Sequence, residues 1–515
     1  MDTSLGLWTI AAGEPERTAV VEPDGREVGY GELAAKANAY ARGLRSLGLE
    51  TGDAIVVLQP NGVELLAAQF AALQTGLYIV VVNWHLIAPE VAYILADSGA
   101  KAFLAHERFA EVAVAAADEA GIPVRARFAA GHIDGFRRLE ELGAGEGDGR
   151  PNERTAGSPM LYTSGTTGRP KGVRRPLTGA DPDQVPGAST WFFGIFGLKP
   201  FDGHVHLCGS PLYHTAVLNF VAISIQLGHT AVLMDRWDSE EALRLIERHR
   251  VTHSHLVPTQ FRRLLALPEP VRERYDLSSL RVMIHGAAPC PLEVKRRMLD
   301  WWGPVVTEYY AATEGGGTVI TGADWLRKPG SVGTPWPGST VKVLDDNGSA
   351  VPPGEIGTVY LKMGDSRFEY HKDREKTEQT RVGDLFTLGD VGHLDEDGYL
   401  FLHDRKADLI ISGGVNIYPA EIEGELITHP KVADVAVFGI PHADWGEEIK
   451  AVVQPAPGVE GGDELTAELL VFARGRLAKF KLPKTVDYVA ELPRDPNGKL
   501  YKRKLREQYL ADGVR

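Results

Sequence analysis

The feature that most constrains the fold is an alternation of helical and extended segments in the first part of the chain. Ala and Leu recur at helical spacing, and β-branched apolar runs follow each helical stretch. The predicted segments are helices at 30–47, 64–75 and 90–98 and strands at 54–58, 78–82 and 102–105. Because strands that alternate with helices pair in parallel, the sequence predicts an α/β fold with a doubly wound sheet.

A chain of 515 residues is too long for one hydrophobic core, so we expect a large and a small unit. Strands become short, with Asp-Asn-Gly and Asp-Gly turns, after about residue 340. A charged segment at 403–408 then leads into an apolar strand, a Gly-Gly turn and a helix that begins near Pro419. We therefore predict an N-terminal domain at 1–404 and a smaller C-terminal domain at 405–515.

Composition and charge narrow the class of protein. The net charge of −14 argues against general nucleic-acid binding. One region is the exception, because nine Lys or Arg against three acids lie between Lys479 and Arg506. Such a basic region suits a polyanionic ligand, but it is equally typical of a solvated helix face.

The chain has no obvious targeting or membrane signal. No apolar run approaches the roughly 20 residues of a membrane span, and acids stand where the basic region of a secretory signal would be. A cytoplasmic protein is therefore the expectation. Cys208 and Cys290 are too few for a disulfide framework, which favours free thiols without a nucleophilic role.

The stretch from Met160 to Val173, Met-Leu-Tyr-Thr-Ser-Gly-Thr-Thr-Gly-Arg-Pro-Lys-Gly-Val, indicates phosphate binding. Its glycines let backbone N–H groups approach an anion, its hydroxyls add donors, and Lys171 adds a point charge. The spacing differs from that of a Walker loop, since Lys171 comes three residues after Gly168 and precedes another glycine. A flexible polar surface loop is the alternative.

This stretch resembles the signature of the adenylate-forming superfamily, Thr-Ser-Gly-Thr-Thr-Gly-x-Pro-Lys-Gly, at every fixed position. The superfamily includes acyl-CoA synthetases, peptide-synthetase adenylation domains and luciferases. Four further motifs follow in family order: the turn at 286–288, Tyr310 to Glu314, Asp390 with Arg405, and Leu-Pro-x-x-x-x-Gly-Lys ending at Lys499. The resemblance spans almost the whole chain.

Two of these motifs also have a chemical interpretation of their own. The strand ending in Gly-Ala-Ala-Pro lets a flat ring lie against the backbone, although tight packing explains it as well. Glu314 offers the oxygen ligand that Mg²⁺ prefers near phosphates. Ala311 stands where the resembled Tyr-Gly-x-Thr-Glu motif has glycine, which could shift adenine or narrow the acyl tunnel.

The resemblance implies an acid:CoA ligase that uses ATP, Mg²⁺ and coenzyme A. Its implied fold is a large domain of doubly wound sheets plus a distorted β-barrel, with a small mobile α+β domain hinged near Ala407. The implied catalytic residues are Lys499, Glu314 and Thr166, with Thr163 and Glu314 at the metal. The implied ATP and AMP site comprises Thr163, Ser164, Gly165, Thr166, Thr167, Gly168, Lys171, Gly286, Ala287, Ala288, Tyr310, Ala311, Thr313, Asp390, Arg405 and Lys499.

The acid and its acceptor are less constrained. The resembled acyl pocket corresponds to His214, Val217, Val221, Gly315 and Gly316, and the CoA site to Ser412, Gly413 and Gly414. Apolar and small residues there favour a hydrophobic acid, either a medium- or long-chain fatty acid or a steroid-type acid. Transfer to an amine or to a carrier-protein thiol, and a non-catalytic ligand-binding relative, are the alternatives. The sequence does not decide whether the chain forms a homodimer.

Two local features have no assigned role. Residues 176–199 carry four aromatics among Gly, Pro and Asp, which is typical either of a mobile flap or of a surface loop pinned by rings. The pairs His204/His206 and His253/His255 would each lie on one face of a strand. We do not expect a metal site there, because no third and fourth ligand stand at suitable spacing.

Overall fold

The structure is a computed structural model. It describes residues 5–511 except 146, 148, 164–170, 313–314, 365–367, 372–373, 413–414, 443 and 495–499, and only the backbone of Thr163, Lys171, Ala188, Lys376, Arg503, Lys504, Leu510 and Ala511. Two compact units divide the chain. The first comprises Met1–His255, Leu267–Ile284 and Asp365–Gln379, and the second comprises Leu256–Ala266, His285–Gly364 and Thr380–Arg515.

The α-helices are, in chain order, α1 Leu7–Gly13, α2 Tyr30–Ser46, α3 Val63–Thr75, α4 Ala88–Ser98, α5 Ala110–Glu119, α6 Val185–Ile195, α7 Thr215–Gln226, α8 Ser239–His249, α9 Pro258–Leu265, α10 Glu269–Arg272, α11 Leu292–Trp302, α12 Gly322–Arg327, α13 Arg374–Gln379, α14 Pro419–Leu426, α15 Asp463–Arg474 and α16 Lys502–Ala511.

The β-strands are β1 Thr18–Val21, β2 Glu27–Gly29, β3 Ala54–Leu58, β4 Tyr78–Val81, β5 Ala100–His106, β6 Arg127–Ala130, β7 Arg137–Arg138, β8 Ser158–Pro159, β9 Leu161–Thr163, β10 Lys171–Arg174, β11 Val205–Cys208, β12 Thr230–Leu233, β13 His253–Leu256, β14 Val282–His285, β15 Val306–Ala311, β16 Gly317–Ile320, β17 Thr334–Pro335, β18 Ser339–Leu344, β19 Gly357–Met363, β20 Glu369–Tyr370, β21 Arg381–Val382, β22 Leu385–Phe386, β23 Asp390–Leu394, β24 Leu400–Arg405, β25 Ile410–Ser412, β26 Val415–Ile417, β27 Val432–His442, β28 Gly446–Pro455 and β29 Thr485–Tyr488.

The first unit contains two largely parallel sheets flanked by helices. One has the order β7-β6-β5-β3-β4-β8, and its neighbouring strands pair in parallel. The other runs β13-β11-β12-β1-β2 within this unit and is parallel except for β1 with β2. The predicted α/β fold with doubly wound sheets is therefore confirmed. Strand β3 is buried along its whole length, as its continuous apolar run requires.

Buried histidines form part of the interior of the first unit. The rings of His204, His206, His229 and His253 lie within 4.7–5.5 Å of one another in pairs. Ser224 links the two rings of His206 and His253 through contacts of 2.9 and 3.1 Å. Burial lowers the pKa of His206 to about 3 and of His229 to about 4. These histidines are therefore neutral polar members of the core.

The second unit is mostly antiparallel. Strands β15, β16 and β17 pair in sequence, and a six-stranded sheet runs β21-β22-β19-β23-β24 with β18 on β19. The sheet nearest the C-terminus runs β26-β25-β28-β27, and β29 joins β28 in parallel. Its apolar side packs on α14 and α15 through residues such as Ile422, Val437 and Leu469. This is the α+β arrangement expected for the C-terminal part.

Two predicted segments differ from the structure. Residues 176–199 contain helix α6 rather than only a loop or flap, because Phe193 and Phe196 are buried against Phe220 of α7. The sequence also predicts a helix over about 465–479, whereas α15 ends at Arg474, since Gly475 follows it. Among the described residues, no helix has both the length and the apolarity needed to cross a bilayer.

Candidate active site

Two antiparallel strands flank the predicted phosphate-binding stretch. Thr163 at the end of β9 is the direct Cα partner of Lys171 at the start of β10. The predicted residues Ser164, Gly165, Thr166, Thr167 and Gly168 lie outside the described residues. The stretch thus begins and ends at neighbouring positions of one hairpin, whereas a Walker loop leads from a strand into a helix.

The small-residue turn at 286–288 follows β14 directly. Ala287 has φ of +69°, a left-handed conformation uncommon for a residue with a side chain. A Cβ atom added at Gly286 would lie 2.8 Å from a ring carbon of Tyr309 and 2.9 Å from its carbonyl oxygen. Glycine is therefore required at 286 by close approach to β15, the strand that also carries Tyr310.

Tyr310, Asp390 and Arg405 come together although they are far apart in sequence. The hydroxyl of Tyr310 donates a hydrogen bond of 2.6 Å to Oδ2 of Asp390. Arg405 Nε lies 3.4 Å from Oδ1 of the same carboxylate, because Asp390 and Arg405 are Cα partners in β23 and β24. The Arg405 side chain is 45% exposed and that of Asp390 13% exposed. One aromatic ring, one carboxylate and one accessible cation thus share a small site.

The next predicted residues lie on the hairpin formed by β15 and β16. Ala311, the departure from the resembled motif, ends β15 and pairs with Gly317. A Cβ atom at Gly317 would lie 2.3 Å from the carbonyl oxygen of Tyr310, so this position is also restricted to glycine. Thr313 and Glu314 lie outside the described residues, as does Lys499. The structure therefore describes the two strands on either side of this motif but not Glu314, its proposed metal ligand.

The arrangement around Asp390 fits a nucleoside monophosphate. A carboxylate can accept hydrogen bonds from both hydroxyls of a ribose, and an aromatic ring can stack on adenine. An exposed guanidinium can bind a phosphate oxygen. Gly286 lies too close to β15 for a side chain. Backbone atoms of the 286–288 turn therefore lie next to these groups at this position. The residues present thus match the parts of AMP.

The predicted acyl-pocket residues fall in both units. His214 directly precedes α7, and its ring centre lies 4.3 Å from that of Tyr213. Val217 and Val221 on α7 are buried in the main apolar cluster of the first unit. Gly315 and Gly316 have φ of +127° and +77° before β16 in the second unit. The role of these five residues in an acyl pocket stays a prediction.

An open cleft with a volume of about 170 Å³ lies in the C-terminal part of the second unit. Its lining residues are Ser412, Val415, Ile417, Trp445, Ile449, Phe480 and Lys484. Trp445 and Phe480 are 44% and 51% exposed, which is unusual for large aromatic side chains. The ammonium of Lys484 lies 4.7 Å from the centre of the Trp445 ring.

Only Ser412 of this cleft was expected from sequence, and its predicted companions Gly413 and Gly414 lie outside the described residues. Trp445, Phe480 and Lys484 were missed. The available signal was the basic region that starts at Lys479, where an aromatic residue stands between two lysines. In the structure this region contributes to a cleft in which rings and a cation are accessible together.

The cysteines show no sign of nucleophilic chemistry. Both are free, and Cys208 is buried. Burial raises the pKa of the Cys208 thiol to about 12 and raises that of Cys290 further, so neither forms a thiolate near neutral pH. Within the described ranges, no three His, Cys, Asp or Glu side chains are arranged to hold a metal ion.

Comparison with protein families gives two matches in chain order. Residues 7–366 match the model of the AMP-binding enzyme, and residues 421–499 match the model of the AMP-binding enzyme C-terminal domain. The predicted boundary near residue 405 falls between the two matched regions and stays a prediction.

Several curated proteins are similar over their whole length. A feruloyl-CoA synthase of Amycolatopsis sp is 36% identical and covers 98% of this chain and 99% of the relative. A long-chain-fatty-acid–CoA ligase of Mycobacterium tuberculosis is 35% identical over 97% of each. A fatty acid–acyl-carrier-protein ligase of Streptomyces coeruleorubidus is 33% identical over 100% of this chain and 98% of the relative.

Solved structures show the same fold. The o-succinylbenzoate CoA synthetase of Bacillus subtilis, in complex with an acyl-adenylate intermediate, aligns with a TM-score of 0.80 and 28% identity over 97% of each chain. An amide bond synthetase of Marinactinospora thermotolerans aligns with a TM-score of 0.81 and 26% identity, over 98% of this chain and 99% of that one. Both similarities include the N-terminal and C-terminal parts.

Proposed function

The chain belongs to the AMP-binding enzyme family of adenylate-forming acid–thiol ligases, and we propose that it joins a hydrophobic carboxylic acid to coenzyme A. ATP, Mg²⁺ and CoA are the co-substrates and metal of this family. The finer parts of the proposal are the acid, the acceptor and the residues that carry each step.

The single observation that supports the proposal most strongly is the grouping of Tyr310, Asp390 and Arg405. Oδ2 of Asp390 is held by the Tyr310 hydroxyl at 2.6 Å, and Oδ1 faces a half-exposed arginine at 3.4 Å. Asp390 accepts hydrogen bonds from the ribose hydroxyls, Tyr310 stacks on adenine, and Arg405 binds the phosphate. The 286–288 turn gives the ring a backbone surface.

In the first half-reaction a carboxylate oxygen of the acid attacks the α-phosphorus of ATP, and pyrophosphate leaves with the bonding electrons. Lys499 neutralises charge on the transferring phosphoryl group, and Thr166 donates to it. Residues 163–168 and Lys171 hold the departing phosphates. Mg²⁺, when held by Glu314 and Thr163, supplies positive charge at the same phosphates.

In the second half-reaction the CoA thiolate attacks the activated carbonyl, and the carbon–oxygen bond to AMP breaks. The thiol proton goes to solvent, and AMP leaves with the electron pair. The C-terminal domain turns about Ala407 between the two half-reactions, which withdraws Lys499 and presents residues 412–414 to the pantetheine. One site then need not stabilise two different transition states.

Free CoA is favoured as the acceptor by the chemistry of the cleft beside Ser412. The Trp445 ring stacks on His442 at 5.0 Å, and its exposed part and the ring of Phe480 offer area for adenine, while Lys484 offers a cation for a phosphate. A carrier protein presents the same pantetheine arm without the adenine. The exposed rings therefore support CoA over the carrier-protein transfer named for the Streptomyces relative.

A hydrophobic acid is supported by the character of the predicted acyl pocket. Val217 and Val221 are buried and apolar, and Gly315 and Gly316 add no side-chain bulk. The similar ligases are named for long-chain fatty acids and for ferulate, which are both largely apolar beyond their carboxylate. A medium- or long-chain fatty acid is the first candidate, and a steroid-type acid is the second.

The first experiment measures exchange of labelled pyrophosphate into ATP with a panel of acids. Acetate, decanoate, palmitate, ferulate, 2-succinylbenzoate and cholate form a suitable panel. We expect exchange with decanoate or palmitate to exceed that with acetate, because burial of each CH₂ contributes about 0.8 kcal/mol. Absence of exchange with every acid would contradict the proposed activity and favour a non-catalytic relative.

The second experiment tests the acceptor. Trp445→Ala should raise the KM for CoA about tenfold by loss of base stacking, while pyrophosphate exchange stays unchanged. Trp191→Ala is the matched control, since Trp191 is similarly exposed, at 43%, on α6, and it should leave the KM for CoA unchanged. Turnover with a carrier protein or an amine, but not with CoA, would overturn the choice of acceptor.

A further inference from the structure

The residues on either side of the segment 495–499, which contains Lys499, pair with each other. Arg494 and Leu500 form an antiparallel backbone bridge. The backbone N–H of Tyr501 donates to the carbonyl oxygen of Pro493 at 2.9 Å. Residues 495–499 lie between these paired positions. The groups that hold Arg494 and the start of α16 therefore determine where this segment is attached.

A buried carboxylate holds the first end. Asp434 of β27 is 10% exposed at its side chain, and Oδ2 accepts a short hydrogen bond from Nε of Arg494. Oδ1 accepts from a terminal nitrogen of Arg494 at 2.8 Å and from the backbone N–H of Val435, also at 2.8 Å. The Arg494 contact is bidentate, the geometry that best fixes a guanidinium in place.

A second arginine reaches the same carboxylate from helix α9. The terminal nitrogen of Arg262 lies 3.3 Å from Oδ1 of Asp434. Burial alone would raise the pKa of Asp434, but the hydrogen bond and charge of Arg494, together with Arg262, hold this pKa below its ordinary value. The carboxylate is therefore ionised, and both of its oxygens are occupied by protein donors.

The other end of the segment is attached in a parallel way. The ammonium of Lys502 lies 2.9 Å from Glu423 of α14, and the same Glu423 oxygen accepts from the backbone N–H of Val437 at 2.6 Å. Leu492 and Leu505, on either side, pack into one apolar cluster with residues of β27 and β28. Both ends of the segment are thus attached at β27, one through Asp434 and one through Glu423 bound to Val437.

From this geometry we propose that Asp434 is a positioning residue for Lys499. Through Arg494 it fixes the start of the lysine segment on β27, while the pair of Glu423 and Lys502 fixes its end. The inference rests on the proposed function, because it assumes that Lys499 acts on the transferring phosphoryl group. A catalytic group displaced by about 1 Å can lose a hundredfold in rate, so such an anchor controls the first half-reaction.

The test uses Asp434→Asn in the full-length chain, which keeps the shape of the side chain and removes its charge. We expect kcat for pyrophosphate exchange with decanoate to fall at least about tenfold, with the KM for ATP nearly unchanged. Thioester formation from supplied decanoyl-AMP and CoA should stay close to wild type, because Lys499 is not required there. Asp434→Glu should recover part of the exchange rate.

The matched control is Asp487→Asn. Asp487 also forms one carboxylate–cation pair in the C-terminal part, at 2.7 Å from Lys450, but it joins β28 to β29 and not to the lysine segment. This variant should leave both half-reactions unchanged. If Asp434→Asn unfolds in a thermal scan, Arg494→Gln breaks the same pair from the other side and should give the same selective loss.

A double variant separates positioning from general damage. If Asp434 acts through Lys499, then Asp434→Asn combined with Lys499→Ala should exchange pyrophosphate no more slowly than Lys499→Ala alone. Additive losses, equal loss of both half-reactions, or unchanged exchange in both Asp434→Asn and Arg494→Gln would each overturn the inference. Absence of exchange in the wild-type protein would instead contradict the proposed function itself.

Discussion

Asp390 and Asp434 are both largely shielded aspartates that face an arginine, with 13% and 10% of their side chains exposed, yet they differ in how much hydrogen-bonding capacity each carboxylate keeps. Asp434 receives four hydrogen bonds from Arg494, Arg262 and a backbone N–H, which occupy both oxygens. Asp390 receives one short bond from Tyr310, and its arginine stands farther away at 3.4 Å and is half exposed. A saturated carboxylate holds structure, whereas an incompletely bonded one can still accept hydrogen bonds from a ligand.

The largest expected effect distinguishes the two aspartates directly. Asp390→Asn should lower kcat/KM for ATP about a hundredfold in pyrophosphate exchange, because hydrogen bonds to a charged group contribute about 1.5–3 kcal/mol. Its thermal unfolding should stay close to wild type. The result would appear chiefly in the KM for ATP, in contrast to the kcat effect expected for Asp434→Asn.

One outcome would contradict this difference between Asp390 and Asp434. If Asp390→Asn leaves the KM for ATP unchanged and lowers the unfolding temperature as much as Asp434→Asn does, then both aspartates are structural. Glu396→Gln, a solvated acid in the turn that follows β23, serves as the control and should change neither quantity.

A pH scan tests whether Asp434 or the buried histidines cause the decrease in the free energy of unfolding in mild acid. The pKa of Asp434 is held below its ordinary value, so its pairing is retained down to about pH 4. Burial lowers the pKa of His253 well below 6.5, and His206, His229 and His204 around it lower it further. Below pH 6.5 the unfolded chain therefore binds more protons than the folded chain.

The sign follows from this difference in bound protons. The free energy of unfolding should decrease as pH falls from 6.5, by about 2 kcal/mol at pH 5 for each of His206 and His229, whose folded pKa values are about 3 and about 4, and level off below those values. His253→Gln should show a smaller decrease between pH 7 and pH 5 in chemical unfolding, whereas Asp434→Asn should show the wild-type decrease. If the decrease in the free energy of unfolding between pH 7 and pH 5 disappears in Asp434→Asn and not in His253→Gln, then Asp434 rather than the histidines causes it.

The smallest expected effect concerns the hydroxyl of Tyr310. Tyr310→Phe keeps the ring for stacking but removes the 2.6 Å hydrogen bond to Asp390. We expect kcat/KM for ATP to fall about twofold to tenfold, since a single hydrogen bond contributes about 0.5–1.5 kcal/mol. Tyr309→Phe is the control on the neighbouring position of β15. A loss as large as that of Asp390→Asn would mean that the hydroxyl itself contacts the nucleotide.

The alternation of helices and strands was predictable because it depends on local hydrophobic period. Strand β3 coincides with the predicted 54–58, and α2 and α3 differ from prediction by one residue at an end. Helix α6 was not predictable in this way. Phe193 and Phe196 have the i, i+3 spacing of a helix, but Gly187 and Gly194 lie in the same segment and favour a loop, and burial of the two rings against α7 is a tertiary effect.

The grouping around Asp390 was partly predictable. Tyr310, Asp390 and Arg405 were each expected from a motif, and the structure brings them into contact. The aromatic lining of the cleft beside Ser412 was not expected, because Trp445 and Phe480 are separated in sequence and the lysines beside Phe480 are equally typical of a solvated surface. Exposure of an aromatic side chain is a property of the fold and cannot be read from residue type.

The sequence by itself determined the chemical groups available to this protein, namely a run of glycines and hydroxyls beside a lysine and a set of separated motifs. It also determined the alternation of helices and strands that leads to parallel sheets. Only the tertiary structure decided which of the two aspartates has both oxygens hydrogen-bonded within the protein and which keeps unused acceptor capacity. Asp434 meets Arg494 and Arg262 across 60 and 172 residues of chain. Contacts over such distances depend on how strands and helices pack, because no local pattern encodes the partner of a buried charge.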